Sequence, residues 1–218
     1  IDWVVEEGFA EIPRLHPAGR RVIPVALRRR RRQLFSPASW RDVSRFRREL
    51  KAETYDKVID TQGLVKSAWL ARMARGPSCG QDKATAREPL AASFYDQCFH
   101  VPRDRHAVER NRHLAALALG YPLPPTPPDY GIRAPRPGFS FAVPEKFMIG
   151  LHATSRDSKR WPAAHWAALG RELEGRGIAL LLPWGSAEEE RQAREIAGSL
   201  KHATVLPRLS LGELAALM

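Results

Sequence analysis

Short apolar runs alternate with amphipathic segments along this chain of 218 residues, and no other feature constrains the fold as strongly. Strands are predicted at residues 3–5, 22–27, 55–60, 147–151, 178–182 and 205–206. Helices are predicted at residues 9–15 and 63–74, and in the segments that begin at Ser39, Pro162, Ser186 and Ser210. Because strands separated by helices pair in parallel, the pattern predicts an α/β fold with mainly parallel sheets.

A proline-rich segment divides this pattern into two parts. Residues 121–138 contain seven of the 18 prolines in the chain. Proline fixes φ and removes a backbone donor, so we expect an extended linker here. The sequence therefore predicts one α/β domain at residues 1–120, a linker at residues 121–138 and a second α/β domain at residues 139–218.

Positive charge is concentrated before residue 139. Residues 1–138 contain 25 Lys and Arg against 15 Asp and Glu, whereas residues 139–218 contain 10 against 9. This asymmetry predicts an anionic partner for the first domain: a nucleic acid, an anionic membrane surface or an acidic substrate. The apolar fraction of 44% excludes wholesale disorder. Cys79 and Cys98 are too few for a disulfide framework, which favours a reducing compartment.

The polar segment HATSRDSKRWP, at residues 152–162, directly follows the strand predicted at residues 147–151. Ligands of open α/β sheets bind outside the carboxyl ends of the strands. The hydroxyls of Thr154 and Ser155 and the ammonium group of Lys159 suit a diphosphate at this place. A solvated loop whose hydroxyls cap the next helix is the alternative.

The next strand ends in Leu-Pro-Trp-Gly, at the same predicted edge of the sheet. Glu188 or Glu189, just beyond it, could accept hydrogen bonds from a ribose or another sugar. The spacing from Ser186 favours the alternative, in which Glu189 completes a capping box. The sequence contains no glycine-rich dinucleotide or nucleotide fingerprint, and no metal-ligand spacing of His, Cys, Asp and Glu.

Three features of the first domain could bind an anion. Five consecutive arginines occupy residues 28–32, Gln62 and Lys66 follow the third predicted strand, and Arg110 lies near the domain's end. Gly63 and the helix N-terminus after it also suit an anion. A solubilising loop and nucleic-acid binding are the alternatives for the arginine run, although no nucleic-acid-binding motif accompanies it.

Six motifs together resemble one known family. In chain order they are DWVVEEGF at 2–9, DTQGLVKS at 60–67, TAREPL at 85–90, HAVER at 106–110, HATSRDSKRWP at 152–162 and LPWG at 182–185. This set is similar to that of the lipopolysaccharide heptosyltransferase I family, and the resemblance covers nearly the whole chain. It implies a GT-B fold of two Rossmann-like domains, and an inverting glycosyltransferase that needs neither a metal nor a cofactor.

The resemblance also implies substrates and a location. The family transfers heptose from ADP-L-glycero-D-manno-heptose to the first Kdo sugar of Kdo-lipid A, in the inner core of Gram-negative lipopolysaccharide. The second domain would hold the nucleotide sugar and the first domain would hold the acceptor. We expect a cytoplasmic protein, bound peripherally to the anionic cytoplasmic face of the inner membrane, with no nucleic-acid partner.

The resemblance assigns roles residue by residue. Thr154 and Ser155 would contact the donor diphosphate, and Lys159 would stabilise the departing ADP. The further donor contacts that it implies are Glu189, with Glu188 as the alternative, and Leu209, where the family often has methionine. The acceptor contacts that it implies are Arg28, Arg31, Arg32, Gln62, Lys66 and Arg110.

Two parts of the family pattern have no counterpart in the chain. The general-base aspartate and an Asp-Thr-Gly-x-Ser-His motif would lie before Ile1 and after Met218, so we expect residues 1–218 to be an inactive fragment of an active enzyme. A heptosyltransferase that acts on a heptose acceptor and a GT-B nucleotide-sugar epimerase are the enzymatic alternatives. The HAVER and TAREPL motifs favour the Kdo-specific branch.

Overall fold

The computed structural model describes residues 1–26, 37–134, 138–154 and 157–218, and within these ranges the side chains of residues 37–42 and 157 are not described. Arg28, Arg31, Arg32 and Ser155 lie outside the described residues. The α-helices and strands are, in chain order, β1 (Asp2–Glu6), α1 (Glu11–Arg14), β2 (Arg21–Val25), α2 (Pro37–Leu50), β3 (Val58–Ile59), α3 (Val65–Met73), β4 (Ser78–Gln81), β5 (Gln97–Phe99), α4 (Ala107–Leu119), β6 (Phe147–Ile149), α5 (Ala163–Gly175), β7 (Ala179–Leu182), α6 (Ala187–Ala197), β8 (Ala203–Val205) and α7 (Leu211–Leu217).

The described residues form two compact units. One unit comprises Ile1–Ala10 and Arg20–Gly131, and the other comprises Glu11–Gly19 and Ile132–Met218. The second unit therefore includes a short segment from the beginning of the chain. The prediction of a contiguous first domain at residues 1–120 did not include this exchange. Two hydrogen bonds explain this: the Gly212 amide donates to Glu11 Oε2 over 2.8 Å, and the Arg133 amide donates to the Leu15 carbonyl over 2.9 Å.

The first unit contains two parallel sheets. β1 pairs with β2, and β4 lies between β3 and β5. An apolar cluster of Ile23, Val25, Phe46, Leu50 and Leu70 packs α2 and α3 against β2. The α2 helix begins at Pro37 and not at Ser39, which agrees with the preference of proline for the first turn. The short helix predicted at residues 9–15 is present as α1, over Glu11–Arg14, and it follows a 3₁₀ turn at Glu7–Phe9.

The second unit has one parallel sheet, in the order β6–β7–β8, with helices on both faces. The central strand β7 is apolar throughout, because side chains on both of its faces are buried. Leu180 and Leu182 pack in a cluster with residues of α5 and α6. Leu181 faces the opposite way and packs with Leu206 and Leu217. This sheet confirms the predicted α/β class with parallel strands.

A network at the amino end of β1 and β2 holds this strand pair together. The Asp2 carboxylate accepts hydrogen bonds from Arg20 Nη2 at 2.9 Å, Arg21 Nε at 2.9 Å and the Tyr55 hydroxyl at 2.8 Å. Burial raises the pKa of Asp2, but the hydrogen bonds from Arg20, Tyr55 and Arg21 outweigh it and hold the pKa below its ordinary value. The ionised carboxylate is therefore the form that stabilises the fold.

We predict that Asp2→Asn lowers the free energy of unfolding by about 1–3 kcal/mol at pH 7, because three donors lose a charged acceptor. A carboxylate with a lowered pKa in the folded state contributes stability above its unfolded pKa of about 3.9, and this is lost as the pH falls through the folded value. The difference between wild type and Asp2→Asn should therefore shrink below about pH 4. Urea unfolding at a series of pH values measures this; a pH-independent difference would contradict it. Asp56→Asn, at an exposed position, is the charge-matched control.

Within the part of the chain that the structure describes, no helix is both long enough and apolar enough to span a bilayer.

Candidate functional site

Three loops follow the carboxyl ends of β6, β7 and β8 in the second unit. Because these strands are parallel neighbours, the loops lie along one edge of the sheet, where α/β folds bind ligands. The first loop carries Thr154 and Lys159, the second leads into the first turn of α6 with Glu188 and Glu189, and the third carries Leu209. The fold thus brings the predicted donor residues of the described chain to one edge.

Two side chains, His152 and Trp184, form hydrogen bonds between these neighbouring segments, and neither was predicted as a site residue from the sequence. His152 is buried, with 4% of its surface exposed, and its Nε2 lies 3.1 Å from the Glu189 carbonyl oxygen in the first turn of α6. Trp184 Nε1 donates to the Leu206 carbonyl over 2.7 Å. His152 links the loops after β6 and β7, and Trp184 links those after β7 and β8.

Thr154 and Lys159 lie in the loop after β6, and their predicted contact with a diphosphate stays a prediction. Thr154 is half-buried, two residues beyond His152, whereas Lys159 is exposed and ends the 3₁₀ turn Asp157–Lys159. The Trp161 ring packs edge-on against Trp166, with ring centroids 5.1 Å apart. An exposed ammonium group and a hydroxyl on the same loop can bind an anion without a glycine-rich turn.

The Glu189 carboxylate is engaged in the capping box that the sequence predicted as the alternative. Oε2 accepts hydrogen bonds from the backbone amides of Gly185 at 2.7 Å and Ser186 at 3.1 Å, and Ser186 Oγ accepts from the Glu189 amide. This confirms the capping box and leaves Oε1 as the oxygen that could face a nucleoside. The predicted nucleoside contact of Glu189 stays a prediction.

Glu188 and Leu209 have different surroundings. Glu188 pairs with Arg191 at 2.5 Å and accepts a hydrogen bond from Gln192 at 2.9 Å, all on the exposed side of α6. It also lines a pocket of about 270 Å³ between α5 and α6. Leu209 is half-buried and packs against the apolar cluster below the sheet. Their predicted contacts with the donor stay predictions.

We predict that Glu189→Ala destabilises the protein by about 1 kcal/mol, because two amides at the start of α6 lose their acceptor. Thermal unfolding monitored by circular dichroism measures this. Glu195→Ala, an exposed position in the same helix, is the control and should shift the midpoint much less. Equal shifts for the two variants would contradict a capping role of Glu189.

Two of the predicted acceptor residues, Gln62 and Lys66, follow the carboxyl end of β3 in the first unit. Gln62 and Lys66 are exposed there. Gly63 has a φ of 63°, and a Cβ at this position would lie 3.1 Å from the Arg87 amide nitrogen and 3.2 Å from Gln81 Oε1. Only glycine suits this conformation and this close approach of the two loops.

A buried carboxylate positions the loop that carries Gln62. Asp60 is 7% exposed and accepts hydrogen bonds from the Gln62 amide at 2.8 Å, Ser67 Oγ at 2.7 Å and the Tyr95 hydroxyl at 2.7 Å. Burial, followed by the neighbouring Asp60 charge, raises the pKa of Tyr95, so its hydroxyl stays protonated and donates to Asp60. Asp60 therefore serves the loop geometry and not an external ligand.

The carboxylate of Glu88 accepts a hydrogen bond at the N-terminus of α3. Glu88 Oε2 accepts from the Val65 amide over 2.7 Å, and the Glu88 amide donates to the Gly63 carbonyl. The prediction of an external anion at this helix N-terminus is therefore wrong for the Val65 amide, since Glu88 satisfies its donor.

The guanidinium group of Arg110 forms hydrogen bonds within the protein. Its Nη2 donates to Gln81 Oε1 at 2.9 Å and to the Thr85 carbonyl at 3.0 Å, and Arg103 Nε donates to the same carbonyl at 3.3 Å. Its buried Nε contacts no acceptor among the described residues. Arg110 thus supports the TAREPL loop, and its predicted contact with an acceptor stays a prediction.

Comparison with known proteins identifies related chains. The family model described as glycosyltransferase family 9 (heptosyltransferase) matches residues 43–218. Lipopolysaccharide heptosyltransferase 1 of Pseudomonas aeruginosa is 48% identical over 217 residues, which are 99% of this chain and 61% of that protein. Its counterpart in Escherichia coli K12 is 48% identical over 97% of this chain and 66% of that protein. The chain spans about three fifths to two thirds of the length of these relatives.

Solved structures give the same likeness. The structure described as E. coli heptosyltransferase WaaC with ADP has a TM-score of 0.89 at 46% identity, covering 99% of this chain and 68% of that one. WaaC with ADP-2-deoxy-2-fluoro heptose has a TM-score of 0.88 at 46% identity, covering 99% of this chain and 69% of that one. These structures confirm the predicted GT-B type of fold.

Proposed function

Because the chain belongs to glycosyltransferase family 9, we propose that the protein carrying it transfers heptose from ADP-L-glycero-D-manno-heptose to the first Kdo sugar of Kdo-lipid A. This step builds the inner core of lipopolysaccharide. The observation that carries the proposal is the 48% identity over 217 residues to a lipopolysaccharide heptosyltransferase 1. Relatives solved with ADP and with an ADP-2-deoxy-2-fluoro heptose support a nucleotide-sugar donor.

The reaction is a single displacement that inverts the anomeric carbon. A carboxylate base removes the proton from a Kdo hydroxyl, and the oxygen attacks the anomeric carbon of the heptose from the face opposite ADP. Thr154 and Ser155 donate hydrogen bonds to the diphosphate. The bond between the heptose and the diphosphate breaks as Lys159 stabilises the charge that develops on ADP.

The acceptor is held by the first unit. Gln62 and Lys66 are exposed at the carboxyl edge of β3. The family resemblance also assigns Arg28, Arg31 and Arg32 to the anionic Kdo-lipid A. The same positive charge attaches the protein peripherally to the anionic cytoplasmic face of the inner membrane, since each Lys or Arg near such a surface contributes about 1 kcal/mol. Flotation with anionic liposomes that is insensitive to salt and to arginine substitution would contradict this attachment.

The deciding assay measures ADP release by the natural full-length protein from ADP-heptose, with Kdo-lipid A as the acceptor. Release that depends on the acceptor, with an inverted anomeric centre in the product by NMR, is the expected result. Kdo-lipid A that already carries one heptose is the matched control acceptor. A preference for this control would assign the heptose-acceptor branch, and no release with either acceptor would contradict the proposed function.

A further inference from the structure

We propose that His152 is a positioning residue of the donor site, which locks the diphosphate loop after β6 to the first turn of α6. This inference rests on the proposed function, because it takes Thr154 and Lys159 as contacts of the ADP diphosphate. In this role His152 acts on the donor through two backbone segments and not by direct contact.

The backbone turns sharply at the point where β6 ends. The Gly150 amide donates to the Leu181 carbonyl over 2.8 Å and completes the pairing with β7. The His152 amide then donates back to the Gly150 carbonyl over 3.0 Å, and His152 Nδ1 lies 3.3 Å from the same oxygen. The chain leaves the sheet at His152, and Thr154 follows two residues later.

The imidazole reaches the neighbouring loop. Nε2 lies 3.1 Å from the Glu189 carbonyl oxygen, which can only accept, so a hydrogen bond here requires the proton on Nε2. Only 4% of the surface of His152 is exposed, so the ring is sheltered from competing water. A hydrogen bond from a buried side chain fixes the distance between two segments that lie 37 residues apart in the chain.

Glu189 also holds the turn after β7, through its side chain. Its carbonyl accepts from His152, while its carboxylate accepts from the amides of Gly185 and Ser186 at 2.7 and 3.1 Å. The turn after β7 is therefore held relative to the loop that carries Thr154. Productive donor binding requires both loops at once, and small displacements of positioned groups weaken such sites.

The test compares His152→Leu with His152→Gln in the natural full-length protein, with ADP as the probe. Leucine fills a similar volume without a donor, whereas the Nε2 amide of glutamine can still donate to the Glu189 carbonyl. We expect His152→Leu to weaken ADP binding about tenfold by calorimetry, equivalent to about 1.4 kcal/mol. It should raise the KM for ADP-heptose by a similar factor with little change in kcat. His152→Gln should bind ADP within about threefold of wild type.

His202→Leu is the matched control, because His202 is exposed and lies at the opposite, amino edge of the sheet. Two results would overturn the inference: a folded His152→Leu that binds ADP as tightly as wild type, or equal losses in the leucine and glutamine variants. If His152→Leu does not fold, His152→Asn replaces it, because its shorter amide cannot reach Glu189.

Hydrogen exchange separates this inference from the proposed function. Faster amide exchange at Gly185 and Ser186 in His152→Leu, without ligand, is expected if His152 holds that turn. Unchanged exchange there would overturn the inference, whether or not the protein binds ADP. Failure of the wild-type protein to bind ADP, with faster exchange in the variant, would instead contradict the proposed function alone.

Discussion

Replacing Lys159 by alanine in the full-length protein is expected to lower kcat about 100- to 1000-fold, while the KM for ADP-heptose changes much less. The family resemblance implies a reaction without a metal, in which the charge that develops on ADP depends on preorganised cations. Lys159 is exposed at the carboxyl edge of the sheet of the second unit, where its flexible side chain can reach a bound anion. An interaction that strengthens in the transition state affects kcat more than substrate binding.

Lys201→Ala is the control for this prediction. Lys201 is also exposed but precedes β8, at the amino edge of the same sheet, so its removal changes the net charge equally without affecting the site. Steady-state kinetics with Kdo-lipid A as the acceptor measure both variants. If Lys159→Ala turned over as fast as Lys201→Ala, a role of Lys159 in leaving-group stabilisation would be excluded.

Gly80→Ala is expected to destabilise the protein by about 3 kcal/mol, a large effect for the addition of one methyl group. A Cβ at this position in β4 would lie far inside van der Waals contact with three ring atoms of Tyr95. The ring cannot move away freely, because Tyr95 is 9% exposed and its hydroxyl donates to Asp60 over 2.7 Å. Displacing it would also release the loop that Asp60 holds at Gln62.

Gly175→Ala is the matched control for Gly80→Ala. Gly175 is the last residue of α5, and a Cβ there would meet no atom within 4 Å. Alanine at this position should stabilise the protein by about 0.4–1 kcal/mol, through the reduced entropy of the unfolded chain. Urea unfolding of both variants measures the contrast, and similar stabilities would show that the Tyr95 ring does not constrain position 80.

Local patterns in the sequence predicted much of the fold correctly. The run at residues 178–182 predicted β7, because a strand buried on both faces is apolar throughout. The Ser186 and Ser210 capping boxes are also present as predicted, since their partners lie three residues away. Such signals depend on neighbours in the chain and need no knowledge of tertiary packing.

Predictions that depended on distant partners were less successful. The amides at the start of α3 looked free for an external anion, yet Glu88, 23 residues from Val65, satisfies one of them. Arg110 donates to Gln81 and Thr85, partners that its sequence position did not indicate, while its predicted contact with an acceptor stays a prediction. A charged side chain has many possible partners, and its sequence position does not specify which one the fold supplies.

The sequence by itself determined the α/β class with parallel strands and the membership in a heptosyltransferase family. The first depends on the alternation of apolar runs with amphipathic segments, and the second depends on short motifs. Both are local features of the chain. The tertiary structure alone decided which side chains support the candidate donor site. His152 reaches Glu189 across 37 residues and Trp184 reaches Leu206 across 22, so neither contact has a local signal. Such hydrogen bonds require parallel strands whose carboxyl ends lie at one edge of the sheet. The tertiary structure therefore determines which donor and acceptor come within hydrogen-bond distance.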